Sequence, residues 1–507
     1  MTETNHLFSQ IRAAIRDEEA PFLKTPDGRV VTYGDMLARS AAYANVLSAS
    51  GVKPGDRVAV QVEKSADALM LYLGTVRAGA VFLPLNTAYT PAEVDYFVSD
   101  AQPSVLVCDP DRFNALAQIA DKVKSHVLTL AADGSGSLST AVDGASTAFT
   151  DVARGADDLA AILYTSGTTG RSKGAMLSHE NLASNARVLV DYWRFTSDDV
   201  LLHALPIFHT HGLFVASNIT LLAGGSMIFL PKFDLEEMLR LMPQATTMMG
   251  VPTFYSRLLS SDAFTRELVA HMRLFVSGSA PLSAEVHKAF SARTGHAILE
   301  RYGMTETNMN TSNPYDGERR PGTVGFPLPG VELRIADPES GRVLPEGEVG
   351  VIEVRGPNVF KGYWQMPEKT ASEFRADGFF FTGDMGRIDD RGYVSIVGRA
   401  KDLIITGGFN VYPAEVEAVI DEIEGVAESA VIGVPHADFG EGVVAVVAPH
   451  AGVTLDAQRI VAPLAETLAK FKQPKKVYVL PELPRNTMGK IQKNVLREQY
   501  KDTFGAA

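Results

Sequence analysis

Tyr164-Thr165-Ser166-Gly167-Thr168-Thr169-Gly170-Arg171-Ser172-Lys173-Gly174 is the stretch on which the fold turns. It follows an apolar run at 160–164 that reads as a strand and precedes a predicted helix near His179. Its glycines let the backbone curl, so that successive N–H groups can face one anion. Hydroxyls from Thr165, Ser166, Thr168 and Thr169 add donors, and Arg171 and Lys173 add positive charge. Such a loop suits a triphosphate. It is not a Walker A loop. Counted from Gly167, the second glycine would have to stand at 172, which is serine, and the residue after Lys173 is Gly174 rather than Ser or Thr.

Outward from this loop the chain alternates. Before it, 57–62, 80–85 and 104–108 read as strands and 66–78 as a helix. Thr90-Pro91-Ala92-Glu93 supplies an N-cap, a proline at the first helical position and a capping-box glutamate. After it, 226–230, 246–249, 274–277 and 297–300 read as strands with helices between them. This order predicts mostly parallel sheets with helices on their faces. Residues 132–148 are small and polar and read as a surface excursion. From about 321 to 398, short β-like runs such as 349–354 and 393–397 alternate with glycine and proline, as in a small β subdomain. The remainder reads as a separate unit: a helix from Pro413, strands near 430–434 and 443–448, a helix near 455–469, a strand at 476–480 and a helix-like tail at 495–500. The expected fold is α/β. A large N-terminal domain, 1–400, holds two alternating α/β sheet subdomains plus a small β subdomain, and a smaller α+β C-terminal domain spans 401–507.

A chain of 507 residues exceeds one compact core. With 47 Lys+Arg against 60 Asp+Glu, the net charge of −13 argues against a nucleic-acid partner held on a broad basic surface. Cys108 is the only cysteine, which excludes an internal disulfide and a cysteine zinc site. The N-terminus lacks a basic-then-apolar signal pattern. The longest apolar stretch, 66–85, is broken by Gly74, Arg77, Gly79 and Pro84, so a buried helix and strand are expected there rather than a membrane span. A cytoplasmic location follows as the expectation.

Six further signatures occur in order. They are Pro206-Ile207-Phe208-His209, Ser277-Gly278-Ser279-Ala280-Pro281, Tyr302-Gly303-Met304-Thr305-Glu306, Thr382-Gly383-Asp384, Gly398-Arg399-Ala400-Lys401-Asp402 and Pro484-Arg485-Asn486-Thr487-Met488-Gly489-Lys490. With the loop, they resemble the signature set of the adenylate-forming superfamily, which includes acyl-CoA synthetases, firefly luciferase and peptide-synthetase adenylation domains. The likeness covers nearly the whole chain.

That resemblance implies attack of a carboxylate on the α-phosphate of ATP with loss of pyrophosphate, then attack of the coenzyme A thiol on the acyl-adenylate. Both reactants of the first step are anionic, so catalysis is mainly positioning and charge neutralisation. By resemblance Lys490 is the adenylation catalyst, Glu306 carries Mg²⁺ with a hydroxyl from Thr165, and Thr305 bonds the α-phosphate. Residues 165–170 and Lys173 cradle the phosphates. Tyr302 and the Gly278-Ser279-Ala280 turn sandwich adenine, with Gly303 and Met304 completing that motif, while Asp384 takes the ribose hydroxyls with help from Arg399. The family rotates its C-terminal domain between half-reactions. Lys401 occupies the hinge position, with Asp402 the adjacent candidate, and Gly407 and Gly408 would come down over the pantetheine tunnel. Lys490 is also an expected target of a lysine acetyltransferase, since acetylation removes its charge.

The acid is addressed by a different residue. Simple acyl-CoA synthetases commonly have glycine just before the Tyr-Gly-x-Thr-Glu motif, where this sequence has Arg301. The run 300–314, Glu-Arg-Tyr-Gly-Met-Thr-Glu-Thr-Asn-Met-Asn-Thr-Ser-Asn-Pro, resembles that of the malonyl-CoA synthetases. Half-adenylated malonate keeps one free carboxylate that must be paired when desolvated, and Arg offers a planar bidentate partner. Arg257 and His209 are the other candidate carboxylate ligands, and Thr210 and Met309 are expected to wall the pocket near the α-carbon. Arg301 could instead pair structurally with a neighbour such as Glu300, and Arg257 could be a surface charge. A ligase for methylmalonate, succinate or a short fatty acid, or a carrier-loading adenylation enzyme, stays open at this point. Only a short tail follows Lys490, so free CoA is the expected acceptor.

Overall fold

The computed structural model describes residues 4–165, 172–407, 409–436, 438–486 and 489–505. The first sheet has six strands in the order His126–Thr129, Val105–Cys108, Arg57–Gln61, Val81–Pro84, Leu159–Tyr164, Gly174–Ser178. All neighbours are parallel except the last pair. These strands are short β-branched and apolar runs, as expected of a sheet covered on both faces. Thr90 caps the helix Pro91–Ala101 with a full capping box to Glu93, as the sequence pattern predicts.

The phosphate-loop stretch departs from the expected strand–loop–helix order. Tyr164 pairs with Gly174 and the Thr165 N–H donates to the Lys173 carbonyl at 2.9 Å, so the loop joins two antiparallel strands. The helix His179–Tyr192 begins only after the second, capped by Ser178 and Asn181. Gly174 is held tightly there, since a Cβ would meet Ile162 at 3.0 Å.

The second sheet has nine strands: Phe326–Pro327, Asn308–Ser312, Leu299–Met304, Leu274–Ser277, Thr247–Gly250, Val200–His203, Ser226–Phe229, Pro21–Lys24 and Val30–Thr32. Its middle is parallel and its edges antiparallel. The strand expected at 297–300 is Leu299–Met304 and runs into the Tyr302–Glu306 motif, because it turns back at 305–307 to pair with Asn308–Ser312. One hydrophobic core joins the two sheets and a second fills the outer face of the nine-stranded one. The excursion at 132–148 contains the helix Ser137–Asp143, whose Leu138 and Val142, one turn apart, are buried.

A four-stranded antiparallel sheet follows, Glu332–Ala336, Gly350–Arg355, Phe380–Ile388 and Val394–Arg399. The strands after it form a sheet of their own, built on the hairpin Val426–His436/Gly440–Pro449 with Lys476–Val479 parallel to it. Its core, from Ile404 to Val477, draws on no residue before 404. Among the described residues no helix is long and apolar enough to cross a membrane. Cys108 is buried in its strand, where burial raises its thiol to about 11, so it is an inert packing group.

Candidate active site

Ser277 pairs with Glu300 across parallel strands, which brings Gly278, just past the end of one strand, beside Arg301 within the other. Arg301 is 4 % exposed, and its guanidinium lies against the bare face of Gly278, where a Cβ would fall 2.3 Å from Cζ. Its Nε and Nη2 are buried and without hydrogen-bond partners among the described residues. Burial pushes its pKa down to about 9, still charged at neutral pH. The structural pairing with Glu300 is not made. Adjacent strand residues face opposite sides, Glu300 Oε1 is itself unpartnered, and burial raises that carboxyl to about 8. Leaving a buried charge unpaired costs about 3–5 kcal/mol, so Arg301 is built for an anion.

The segment from Pro206 to the π-helical turn His211–Ser217 places His209 and His211 where the charge of this arginine acts on them. Gly212 is obligatory there, since a Cβ would lie 2.0 Å from the Pro206 carbonyl oxygen. Burial, then the charges of Lys490 and Arg301, push the His209 ring down to about 3. Burial and Arg301 push His211 well below its ordinary value, so both rings are neutral. Thr210 Oγ1 and His211 Nε2 are buried without partners among the described residues. Met309 is buried on Asn308–Ser312, and its Cε would lie 2.6 Å from a Cβ on Gly303. The Asn185 amide fixes that strand, donating to the Met309 carbonyl at 2.8 Å.

The nucleotide candidates form a second, connected group. Tyr302 Oη donates to Asp384 Oδ2 at 2.6 Å, and Arg399 Nε lies 3.0 Å from Asp384 Oδ1. Strand register sets this up, Asp384 standing opposite Arg399. Ser279 takes a left-handed φ of +72°, which shapes the turn at 278–280. Each carboxylate oxygen of Asp384 keeps a further lone pair for an incoming hydroxyl.

Glu306, Tyr363, Glu373 and Lys173 make a third group. Tyr363 Oη lies 3.0 Å from Glu306 Oε1 and 2.7 Å from Glu373 Oε2. Lys173 Nζ sits 3.2 Å from Glu373 and 4.1 Å from the centre of the Tyr363 ring. Burial raises the Glu306 carboxyl, opposed by the charge of Lys173. Lys490 stands among all three groups. Burial lowers its ammonium, and the charges of Arg399, Asp384, Arg301 and Glu306 all act on it. Asn486 clips the loop around it, accepting the Lys490 N–H at 2.9 Å and donating its own N–H to the Lys490 carbonyl at 2.9 Å.

Arg257 is exposed on the helix Pro252–Leu259, its guanidinium 5.6 Å from the Phe233 ring. Thr165, Met304 and Thr305 are half-buried at the ends of their strands. Lys401 lies in a single 3-10 turn, Ala400–Asp402, and Asp402 pairs with Arg497 at 2.6 Å. The Gly407 N–H donates to the Phe439 carbonyl at 2.8 Å. Ser166, Gly167, Thr168, Thr169, Gly170 and Gly408 lie outside the described residues. Sequence reasoning missed Tyr363, Glu373 and His211. Of these, only His211 carried a local signal, standing two residues after His209 in an otherwise apolar stretch.

Fold and site together define an AMP-binding enzyme: the model of that family matches residues 11–364 and its C-terminal-domain model matches 415–490, so the chain belongs to it. Among individual proteins it is similar to MatB from Rhodopseudomonas palustris. It shares 64% identity over 99% of both chains, with a TM-score of 0.97 to the ATP-bound crystal structure and 0.87 to the apo one. It is also 32% identical to the malonate–CoA ligase of Arabidopsis thaliana, over 99% of this chain and 91% of that one. The feruloyl-CoA synthase of an Amycolatopsis species is 38% identical, over 93% and 94%.

Proposed function

We propose that this chain ligates malonate to coenzyme A, forming malonyl-adenylate and pyrophosphate from ATP and then malonyl-CoA and AMP. The observation that carries the acid assignment is Arg301, a buried guanidinium with unpartnered N–H groups beside the nucleotide group. A dicarboxylate supplies one carboxylate to react and one to pair with it. His209 is a further ligand, Thr210 and Met309 wall the pocket, and Arg257 is a second, outer charge for the incoming acid. The malonate–CoA ligase and MatB relatives support this reading.

In the first half-reaction a malonate oxygen bonds to the α-phosphorus and the bond to the β-phosphate oxygen breaks. The Lys490 ammonium bridges the carboxylate and α-phosphate oxygens and Thr305 donates to the latter. Tyr302, its ring fixed by the bond to Asp384, stacks on adenine against the turn 278–280. Asp384 and Arg399 hold the ribose. Glu306 fits Mg²⁺: it is a buried carboxylate of raised pKa, and among the described residues no cluster of acid, His or Cys side chains could enclose a metal unaided. One carboxylate plus phosphate oxygens is how Mg²⁺ is usually held, with Thr165 as a further ligand. The ion supplies charge neutralisation for the departing pyrophosphate. Lys173, carried on Glu373 and Tyr363, and the loop 165–170 take the phosphates.

The second half-reaction, thiol attack on the acyl carbon with AMP leaving, uses domains 1–400 and 401–507 in a different arrangement. Lys401 is the pivot, and Gly407 and Gly408 close the pantetheine tunnel. Lys490, as the adenylation catalyst, is the residue a lysine acetyltransferase would silence, and a cytoplasmic location suits that partner. A pyrophosphate-release screen over malonate, methylmalonate, succinate and acetate tests the assignment. Malonate is expected to lead by at least about tenfold in kcat/KM. A lead by acetate or succinate would overturn it.

A further inference from the structure

Two consecutive residues of the adenine turn each seat a side chain that the nucleotide does not use. Gly278 underlies the Arg301 guanidinium, with positions 2.3–2.5 Å from a Cβ taken by Cζ, Nε and Nη1. Ser279 Oγ lies 3.1 Å from His211 Nδ1. His211 is 1 % exposed and its Nε2 is buried with no partner among the described residues. We propose that His211 is a further ligand, in addition to His209, for the free carboxylate of the acid, donating from Nε2 beside Arg301, and that Gly278 and Ser279 set acid specificity by seating His211 and Arg301. This rests on the malonate reading and deepens it.

The chemistry favours a histidine here over a second cation. One carboxylate beside one guanidinium is already charge-balanced, and a second positive group would repel Arg301 in a desolvated pocket. A neutral imidazole adds a donor without adding charge. With the Ser279 hydroxyl donating to Nδ1, the ring proton resides on Nε2, the nitrogen with no other partner. The carboxylate can take two parallel bonds from Arg301 and keep a lone pair for Nε2. The turn at 278–280 thereby presents its backbone to adenine and its two seats to the acid, so that one short segment serves both substrates.

Steady-state kinetics with malonate and with butyrate, a monoacid of similar length, test this. Wild-type enzyme that does not prefer malonate over butyrate would overturn the malonate reading itself. Given that preference, His211→Leu should raise the malonate KM by about tenfold or more, with butyrate kcat/KM unchanged or higher and ATP KM within about twofold. His211→Gln, which retains an N–H donor, should recover part of the malonate KM. Gly278→Ala should depress malonate use more than butyrate use by displacing Arg301. If His211→Leu and His211→Gln leave malonate KM unchanged, or lower malonate and butyrate kcat/KM together, His211 is not a carboxylate ligand and the malonate reading still stands.

Discussion

Arg301 is buried and Lys490 half-buried, and the two cations differ in what surrounds them. Lys490 has Asp384 and Glu306 acting on it, while among the described residues Arg301 has no carboxylate near enough to raise its pKa. Arg301→Gly should therefore cut malonate kcat/KM by about two orders of magnitude or more and raise relative use of butyrate, measured by pyrophosphate release. Unchanged malonate kinetics would remove Arg301 from the pocket. Lys490→Ala should abolish adenylation while still converting supplied malonyl-adenylate to malonyl-CoA. Normal pyrophosphate release by that variant would sink the assignment. Glu300 provides a pH test. Its native pKa of about 8 lies above the ordinary 4.5, so the native state binds a proton that the unfolded chain has released. Its contribution to stability accordingly falls from pH 4.5 to pH 8 and is level above, a loss on the order of a few kcal/mol. Glu300→Gln should melt higher than wild type, with the difference growing between pH 5 and pH 8. A constant difference across that range would refute the assignment.

At the scale of elements, the site is assembled where strands end. The parallel pair Leu274–Ser277 and Leu299–Met304 delivers Gly278, Arg301 and Tyr302, and the hairpin to Asn308–Ser312 adds Glu306 and Met309. The turn after Pro206 depends on one missing side chain. A Cβ at Gly212 would overlap the Pro206 carbonyl, and nearby backbone would have to move with His209, Thr210 and His211. Gly212→Ala should lower the melting temperature by several degrees and lower malonate binding with it, read by thermal denaturation with and without malonate. The order of elements was legible in the sequence because hydrophobic period and capping residues are local. Their terminations were less so. The strand at 299–304 outran its expected end, and a strand at 174–178 preceded the expected helix, because antiparallel partners that extend a strand lie outside any local window.

For the whole molecule, it is the C-terminal unit that brings Lys490 to the site. Lys490 stands with Arg399, Asp384, Arg301 and Glu306, the arrangement that the proposed adenylation step needs, and the overall superposition is better on the ATP-bound relative than on the apo one. A Cβ on Gly489 would lie 3.8 Å from Thr253 Oγ1, within disulfide range once side chains adjust. With Cys108 buried and unreactive, the Thr253→Cys/Gly489→Cys pair should, when oxidised, permit one round of malonyl-adenylate formation yet block malonyl-CoA, with reduction restoring turnover. Full turnover in the oxidised form would argue against domain rotation.

The sequence alone determined the class of chemistry and singled out candidate residues for it, because glycine spacing, hydroxyls and charges within a motif act through a backbone the motif itself shapes. It also singled out Arg301. Only the tertiary structure decided that Arg301 is unpaired among the described residues, and that Tyr363 and Glu373 stand behind Glu306 and Lys173. Pairing and burial depend on what lies across a sheet or on another element, and residues such as Lys173 and Glu373, two hundred positions apart, meet only when the chain has closed on itself.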